Sequence, residues 1–135
     1  MQVGSGGNTY DWVDGWAALP ETESKRTGWA HHGVVVTRSG EVVTYHQGDP
    51  TMMVLDLEGS LLRSWDIPVA DAHGITLVEE DGAEYLWIAD NGAKRQAGLG
   101  YDYPPGPRKG QVLKTALDGQ TVMSLDRPDL EVYRE

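Results

Sequence analysis

From residue 33 onward, apolar positions recur at every second residue in short runs, and the runs are broken by glycine-centred polar pairs. That pattern predicts β-strands joined by tight turns, because successive side chains of a strand point to opposite faces. The runs predict strands at residues 33–37, 41–46, 51–57 and 61–65, and again at 75–78, 85–89, 111–116 and 121–125. Ser39-Gly40, Glu58-Gly59, Asp81-Gly82 and Asp118-Gly119 lie between them and suit hairpin turns, since glycine accepts the positive φ that such turns need. Helix signals are nearly absent. Trp12 and Trp16 are spaced for one helical turn, but Gly15 and Pro20 interrupt any longer pattern. Residues 8–17 are therefore expected to form a strand or extended segment that packs its tryptophans on a neighbour. Residues 18–28 are expected to be a loop, and MQVGSGG before them a flexible end.

The two sets of strands are copies of one unit. Written from each His-Gly, HGVVVTRSGEVVTYHQGD begins at His32 and HGITLVEEDGAEYLWIADNGA at His73, an offset of 41 residues. A repeat of about 40–45 residues with four strands fits one blade of a β-propeller. The predicted fold is thus all-β, built of antiparallel four-stranded meander blades of an incomplete β-propeller. Its parts are an N-terminal segment at 1–28, a first blade at 29–68, a second at 69–125 and a linker at 126–135. The second blade carries a long connection, 93–110, whose glycines and prolines forbid regular structure. Loops of such length carry function more often than short ones do, and a meander returns this one to the end of the blade where His73 starts.

Composition removes several classes of function. The chain has 135 residues, enough for one ordinary domain, and its 39% hydrophobic content is that of a folding protein. The net charge of −10 repels phosphates and anionic lipid, so neither nucleic acid nor a membrane surface is an expected partner. Cysteine is absent, which leaves His, Asp and Glu as the ligands for any transition metal. No basic and apolar leader opens the chain and no run approaches the roughly 18 apolar residues of a membrane span, so a cytoplasmic location is expected. P-loop, HExxH and GxSxG motifs are missing, and GLGYDYPPG is no dinucleotide fingerprint because prolines stand where a helix must begin.

The candidate chemistry gathers at strand ends. His32 and His73 open equivalent strands, which in a propeller face the central channel, and two imidazoles there suit a divalent metal. The other reading is that each caps a strand end and bonds to a neighbouring loop. His31 is expected to point away from them. His46, Gln47 and Asp49, with Asp90 and Asn91, end the second strand of each copy at the same rim. Asp49 or Asp90 would orient an imidazole or act as a base, or else would form turns, as Asp and Asn often do at strand ends. Glu79, Glu80 and Asp81 read as a solvated hairpin tip. Tyr101, Tyr103, Arg95 and Arg108 of the long loop would either meet a ligand over the channel mouth or be ordinary residues of a mobile loop. The five tryptophans, Trp12, Trp16, Trp29, Trp65 and Trp87, are expected to pack between blades.

HGVVVTRSGEVVTYHQGDPTMMVLDLEGSLLRSW, AHGITLVEEDGAEYLWIADNG and GQVLKTALDGQ together resemble NHL-repeat six-bladed β-propellers, in particular bacterial proteins similar to the peptidyl-α-hydroxyglycine amidating lyase. The resemblance covers residues 4–125 and implies that this chain is an N-terminal part of about two blades. It implies zinc in the channel, held by histidines that open innermost strands, and His73 matches one of them. Ala72 stands where the family has proline and Gln47 where it has a catalytic-site arginine. The other two zinc histidines and the catalytic tyrosine would belong to further blades. The implied function is a zinc-dependent lyase of the whole propeller; the alternative is a non-catalytic NHL propeller that binds a protein or small ligand on its top face. A gluconolactonase-like lactonase is a third reading, which would want a Glu, Asn and Asp metal set. Apolar faces left open by two blades would be covered by the remaining blades of a longer chain or by self-association.

Overall fold

A computed structural model describes residues 1–21, 32–46, 51–92 and 110–131. Ten strands are described: β1 (Gln2–Ser5), β2 (Asn8–Asp11), β3 (Val34–Val36), β4 (Val42–His46), β5 (Thr51–Leu55), β6 (Leu61–Asp66), β7 (Ala72–Glu80), β8 (Ala83–Asp90), β9 (Gln111–Ala116) and β10 (Thr121–Asp126). They form an antiparallel hairpin, β1-β2, and two four-stranded antiparallel meanders, β3-β4-β5-β6 and β7-β8-β9-β10. The fold is all-β, and the eight predicted strands are present with no end moved by more than three residues. Among the described residues no helix is long and apolar enough to cross a membrane.

Turn chemistry sets the register. Glu80 pairs with Ala83 across two residues, and Asp81 and Gly82 have φ of 51° and 78°. Positive φ at both central positions is the type I′ turn, whose twist matches that of the strands it joins. The other hairpins use wider turns closed by Thr37 N–H to Glu41 O, Asp56 N–H to Ser60 O, and Ala116 N–H to Gln120 O.

The N-terminus departs from expectation. MQVGSGG is not a loose end, because Gln2–Ser5 pairs in register with Asn8–Asp11. The glycines that suggested flexibility make the turn: Gly6 takes φ 61° at the first of two turn positions, the type II′ geometry. Residues 8–17 are a strand only over Asn8–Asp11, and Trp12 lies exposed with its indole N–H on the Asp14 carboxylate. Trp16 does dock: its Nε1 donates to Leu57 O at 2.9 Å, and Ala18 N–H donates to Gly59 O at 2.8 Å. Gly59 permits this, since a Cβ there would stand 1.9 Å from Trp16 O.

The meanders share one core. Val43, Tyr45, Met52 and Val54 of the first sheet pack with Ile75, Leu86, Ile88 and Leu113 of the second, and Ile67, Val69 and Ala72 of the connecting segment fill between them. Within each sheet these residues fall on one face. Tyr45 pairs with Met52 and Met52 with Trp65, while Ile75 pairs with Ile88 and Ile88 with Leu113. Trp65 packs across the interface: a Cβ on Gly119 would lie 2.5 Å from its Cδ1. The first strands of the two sheets are neighbours, with Gly33 set so tightly on β7 that a Cβ there would lie 2.6 Å from Ile75 N.

Candidate functional site

His73 sits on a β-bulge. Ala72 pairs with Asp90 and Gly74 with Ala89, so the 72–74 step holds one residue more than its partner strand. The extra residue is His73, and a bulge re-aims the side chain of such a residue. Ala72 before it is fully buried, whereas the imidazole of His73 is exposed. The backbone is fixed by His73 N–H donating to Asp71 O at 2.9 Å.

Asp90, directly across from Ala72, is an anchor for the backbone. It is only 4% exposed, and its carboxylate accepts from Ala70 N, Asp71 N and Gly92 N at 3.0–3.1 Å and from Gln111 Nε2 at 3.0 Å. Gln111 Nε2 also donates to Pro68 O at 2.8 Å. Asp90 thus ties the segment between the sheets, residues 68–71, to the ends of β8 and β9. Of its two sequence readings, the turn-forming one describes it, because its carboxylate oxygens are taken up by four N–H groups of the chain. Asn91 follows it, exposed, at the same rim.

His32, though equivalent to His73 in the repeat, is turned inward. Its ring meets Tyr45 edge-on, with centroids 4.9 Å apart and planes at 82°, and its Nδ1 lies 3.4 Å from Asp71 Oδ1. The two side chains are 4% and 6% exposed, and among the described residues neither His32 nitrogen nor Asp71 Oδ1 has a hydrogen-bond partner. Tyr45 donates its hydroxyl to Ala70 O at 3.3 Å. Burial pushes the Tyr45 phenol above its usual range, and the carboxylates of Asp71 and Asp90 push it further. The two imidazoles that the repeat makes equivalent thus lie differently, one exposed and one in the interior. His46, at the end of β4, is also buried. Gln47, Asp49, Arg95, Tyr101, Tyr103 and Arg108 lie outside the described residues.

A cavity of about 480 Å³ opens beside His73 on the face of the second sheet turned away from the first. Ala89, Val112 and Leu125 form its apolar floor, and Asn91, Asp126 and Arg127 stand around it. Farther along that face the ammonium of Lys114 lies 4.3 Å from the centre of the Tyr85 ring and 5.8 Å from that of Trp87, and it pairs with Glu80. Sequence reasoning missed Asp71, Gln111 and this cavity. A second repeat would have pointed to the cavity: SWDIP at 64–68 recurs as SLDRP at 124–128, an offset of 60 that the long 93–110 insertion hides from a 41-residue search.

For zinc, the donor set is partial. His73 fits as one exposed imidazole ligand, but the His32 ring is enclosed by Tyr45 and Asp71, and among the described residues no three His, Asp or Glu groups are close enough to hold a metal ion. Three protein ligands are the ordinary requirement of a catalytic zinc. Comparison with protein families, with curated proteins and with solved structures finds no match to this chain.

Proposed function

We propose that this chain supplies two adjacent blades of an NHL-type β-propeller resembling the peptidyl-hydroxyglycine amidating lyases, with His73 at the ligand site of the channel mouth. The observation that supports it is the bulge at Ala72–Gly74, which holds an imidazole outward at the start of an innermost strand while the equivalent His32 is buried. A zinc-dependent reaction would draw its other ligands from blades beyond the described residues, and His73 would contribute one nitrogen to it. No step of such a reaction is assigned to Asp90, whose carboxylate already accepts four N–H groups.

A second reading, a non-catalytic propeller that binds a ligand at the same rim, is favoured by that saturation of Asp90. Zinc titration by calorimetry separates the two. With one ligand in hand the wild-type chain is expected to take up zinc weakly, and His73→Ala to weaken uptake at least about tenfold further, a change of about 1.4 kcal/mol, while His32→Ala leaves it unchanged. Equal uptake by wild type and His73→Ala removes His73 from a metal site. No uptake by wild type leaves the binding-module reading.

A further inference from the structure

Asn91 and Gly92 follow β8 at the rim of the cavity that His73 lines. Asparagine before glycine is the pair most open to attack from within the chain, because glycine has no side chain to hinder its nitrogen. That nitrogen can add to the asparagine side-chain carbon and close an imide ring. The new bond joins Gly92 N to Asn91 Cγ, the bond from Cγ to the side-chain nitrogen breaks, and ammonia leaves with the proton of Gly92 N. Water then opens the imide at either carbonyl, giving aspartate or isoaspartate. The chain has one such pair: its other asparagine, Asn8, precedes Thr9, whose branched side chain crowds the nitrogen.

The fold opposes this step at the atom that must attack. Gly92 N–H donates to Asp90 Oδ1 at 3.0 Å in a buried setting, and Asp90 is 4% exposed. An imide nitrogen carries no hydrogen, so that bond and the ring exclude each other. The carboxylate also disfavours loss of the proton, which would set two negative charges within hydrogen-bond distance. The same stretch of backbone is packed against Gly110, where a Cβ would stand 3.1 Å from Asp90 O and 3.4 Å from Asn91 O. Asn91 itself is exposed, so water reaches the side chain that would lose ammonia. The pair is thus open at its electrophile and held at its nucleophile.

We propose that Asn91-Gly92 is a latent self-modification site of the rim, and that Asp90 keeps it in the amide form. When the Gly92 bond to Asp90 opens, Asn91 converts to aspartate and isoaspartate. Either product puts a carboxylate in place of a neutral amide at the cavity that His73 lines, and isoaspartate adds a backbone atom just past the end of β8. The proposal depends on neither the blade nor the zinc reading.

Peptide mapping by mass spectrometry, on the whole chain aged in mildly alkaline buffer, reads the conversion as an amide-to-acid mass gain at residue 91. A buried bond to a charged acceptor predicts that native wild type converts at least about tenfold more slowly than the same chain in denaturing urea. Asp90→Ala, with its fold checked by circular dichroism, should convert at least about threefold faster than native wild type. Gly119→Ala, strained at the turn beyond the far end of β9, should convert as wild type does, which separates the Asp90 bond from general loss of stability. Asn91→Gln should lose the signal, and a gain that persists there overturns the assignment. Hydrogen exchange at the wild-type Gly92 amide answers without any substitution: it should be slowed at least about tenfold against the unfolded chain. Equal conversion in native buffer and in urea overturns the proposal, as does a Gly92 amide that exchanges freely. A folded Asp90→Ala that converts no faster than wild type overturns it too. So does Gly119→Ala converting as fast as Asp90→Ala, because Asp90 would then not be what holds the site.

Discussion

Asp90→Ala is the sharpest probe of how the rim is held. The carboxylate accepts from four groups, two of which, Asp71 N and Gly92 N, make their bonds in a buried setting. Ala70 N and Gln111 Nε2 are partly buried and can turn to water when the carboxylate is removed. Each buried N–H left without an acceptor costs about 1–3 kcal/mol, so the two together predict a loss of about 2–6 kcal/mol. Against a domain stability of about 5–15 kcal/mol that is a large fraction. Urea unfolding followed by tryptophan fluorescence reads it directly: with a slope of about 1–3 kcal/mol per molar, the midpoint should fall by about 2 M. Asp90→Asn keeps one acceptor oxygen but points an amide donor at other donors, so it should recover less than half of the loss. A fall of under about 0.5 M for Asp90→Ala would refute the reasoning, because it would mean that water satisfies these N–H groups and that residues 68–71 are held by other contacts.

Other outcomes follow from the same geometry. Gly119→Ala places a Cβ 2.5 Å from Trp65 Cδ1 at a residue with φ 93°, so it should destabilise by about 1–3 kcal/mol and shift the Trp65 emission; unchanged emission would mean the sheets do not meet there. Glu41, hydrogen-bonded by both Arg63 guanidinium nitrogens, is held below its usual carboxylate range. A lowered folded pKa means that the pair stabilises the fold above the ordinary carboxylate pKa and loses that contribution as pH falls through the folded value. Carboxyl chemical shifts should show Arg63→Ala moving Glu41 back up, and an unmoved titration would count against the pair. Tyr45 has the opposite sign, with a raised pKa that favours the neutral phenol in the fold. Its contribution is present below the ordinary phenol pKa and is lost as pH rises above it toward the folded value. Phenolate absorbance should show a late ionisation step that Tyr45→Phe abolishes, and an unchanged alkaline titration in Tyr45→Phe would count against the burial of the phenol.

The second meander was legible because β8 buries Leu86, Ile88 and Asp90 alternately with less covered residues, which writes a period of two into it, whereas β4 and β5 are buried on both faces and read as apolar runs bounded by glycine-centred turns. β1 and β2 carry no such record. Every one of their residues is exposed, so nothing in their order separates a strand from a tail, and only the Gly6-Gly7 turn does. The glycine pair was visible, but glycine serves disorder and tight turns alike. Pairing partners decide between them, and those are a property of the fold.

His32 and His73 show where a repeat stops being informative about a site. Both are followed by glycine and an apolar strand, and their spacing makes them equivalent. Their surroundings differ through residues that the His-Gly motif does not contain. Asp90, at the end of β8, holds Ala70 and Asp71 and so fixes the turn into β7; His73 then becomes the unmatched residue of a bulge and turns out. His32 instead meets the Tyr45 ring, and its Nδ1 faces the very aspartate that precedes Ala72 and His73. One connecting segment thus sets both rings, presenting one and enclosing the other. Substituting Asp71 should therefore disturb His32 from within and His73 through the segment whose Asp71 O accepts its N–H, so the ring carbon resonances of both histidines should move in Asp71→Asn at a single pH. If only the His32 resonances moved, the segment would not couple them.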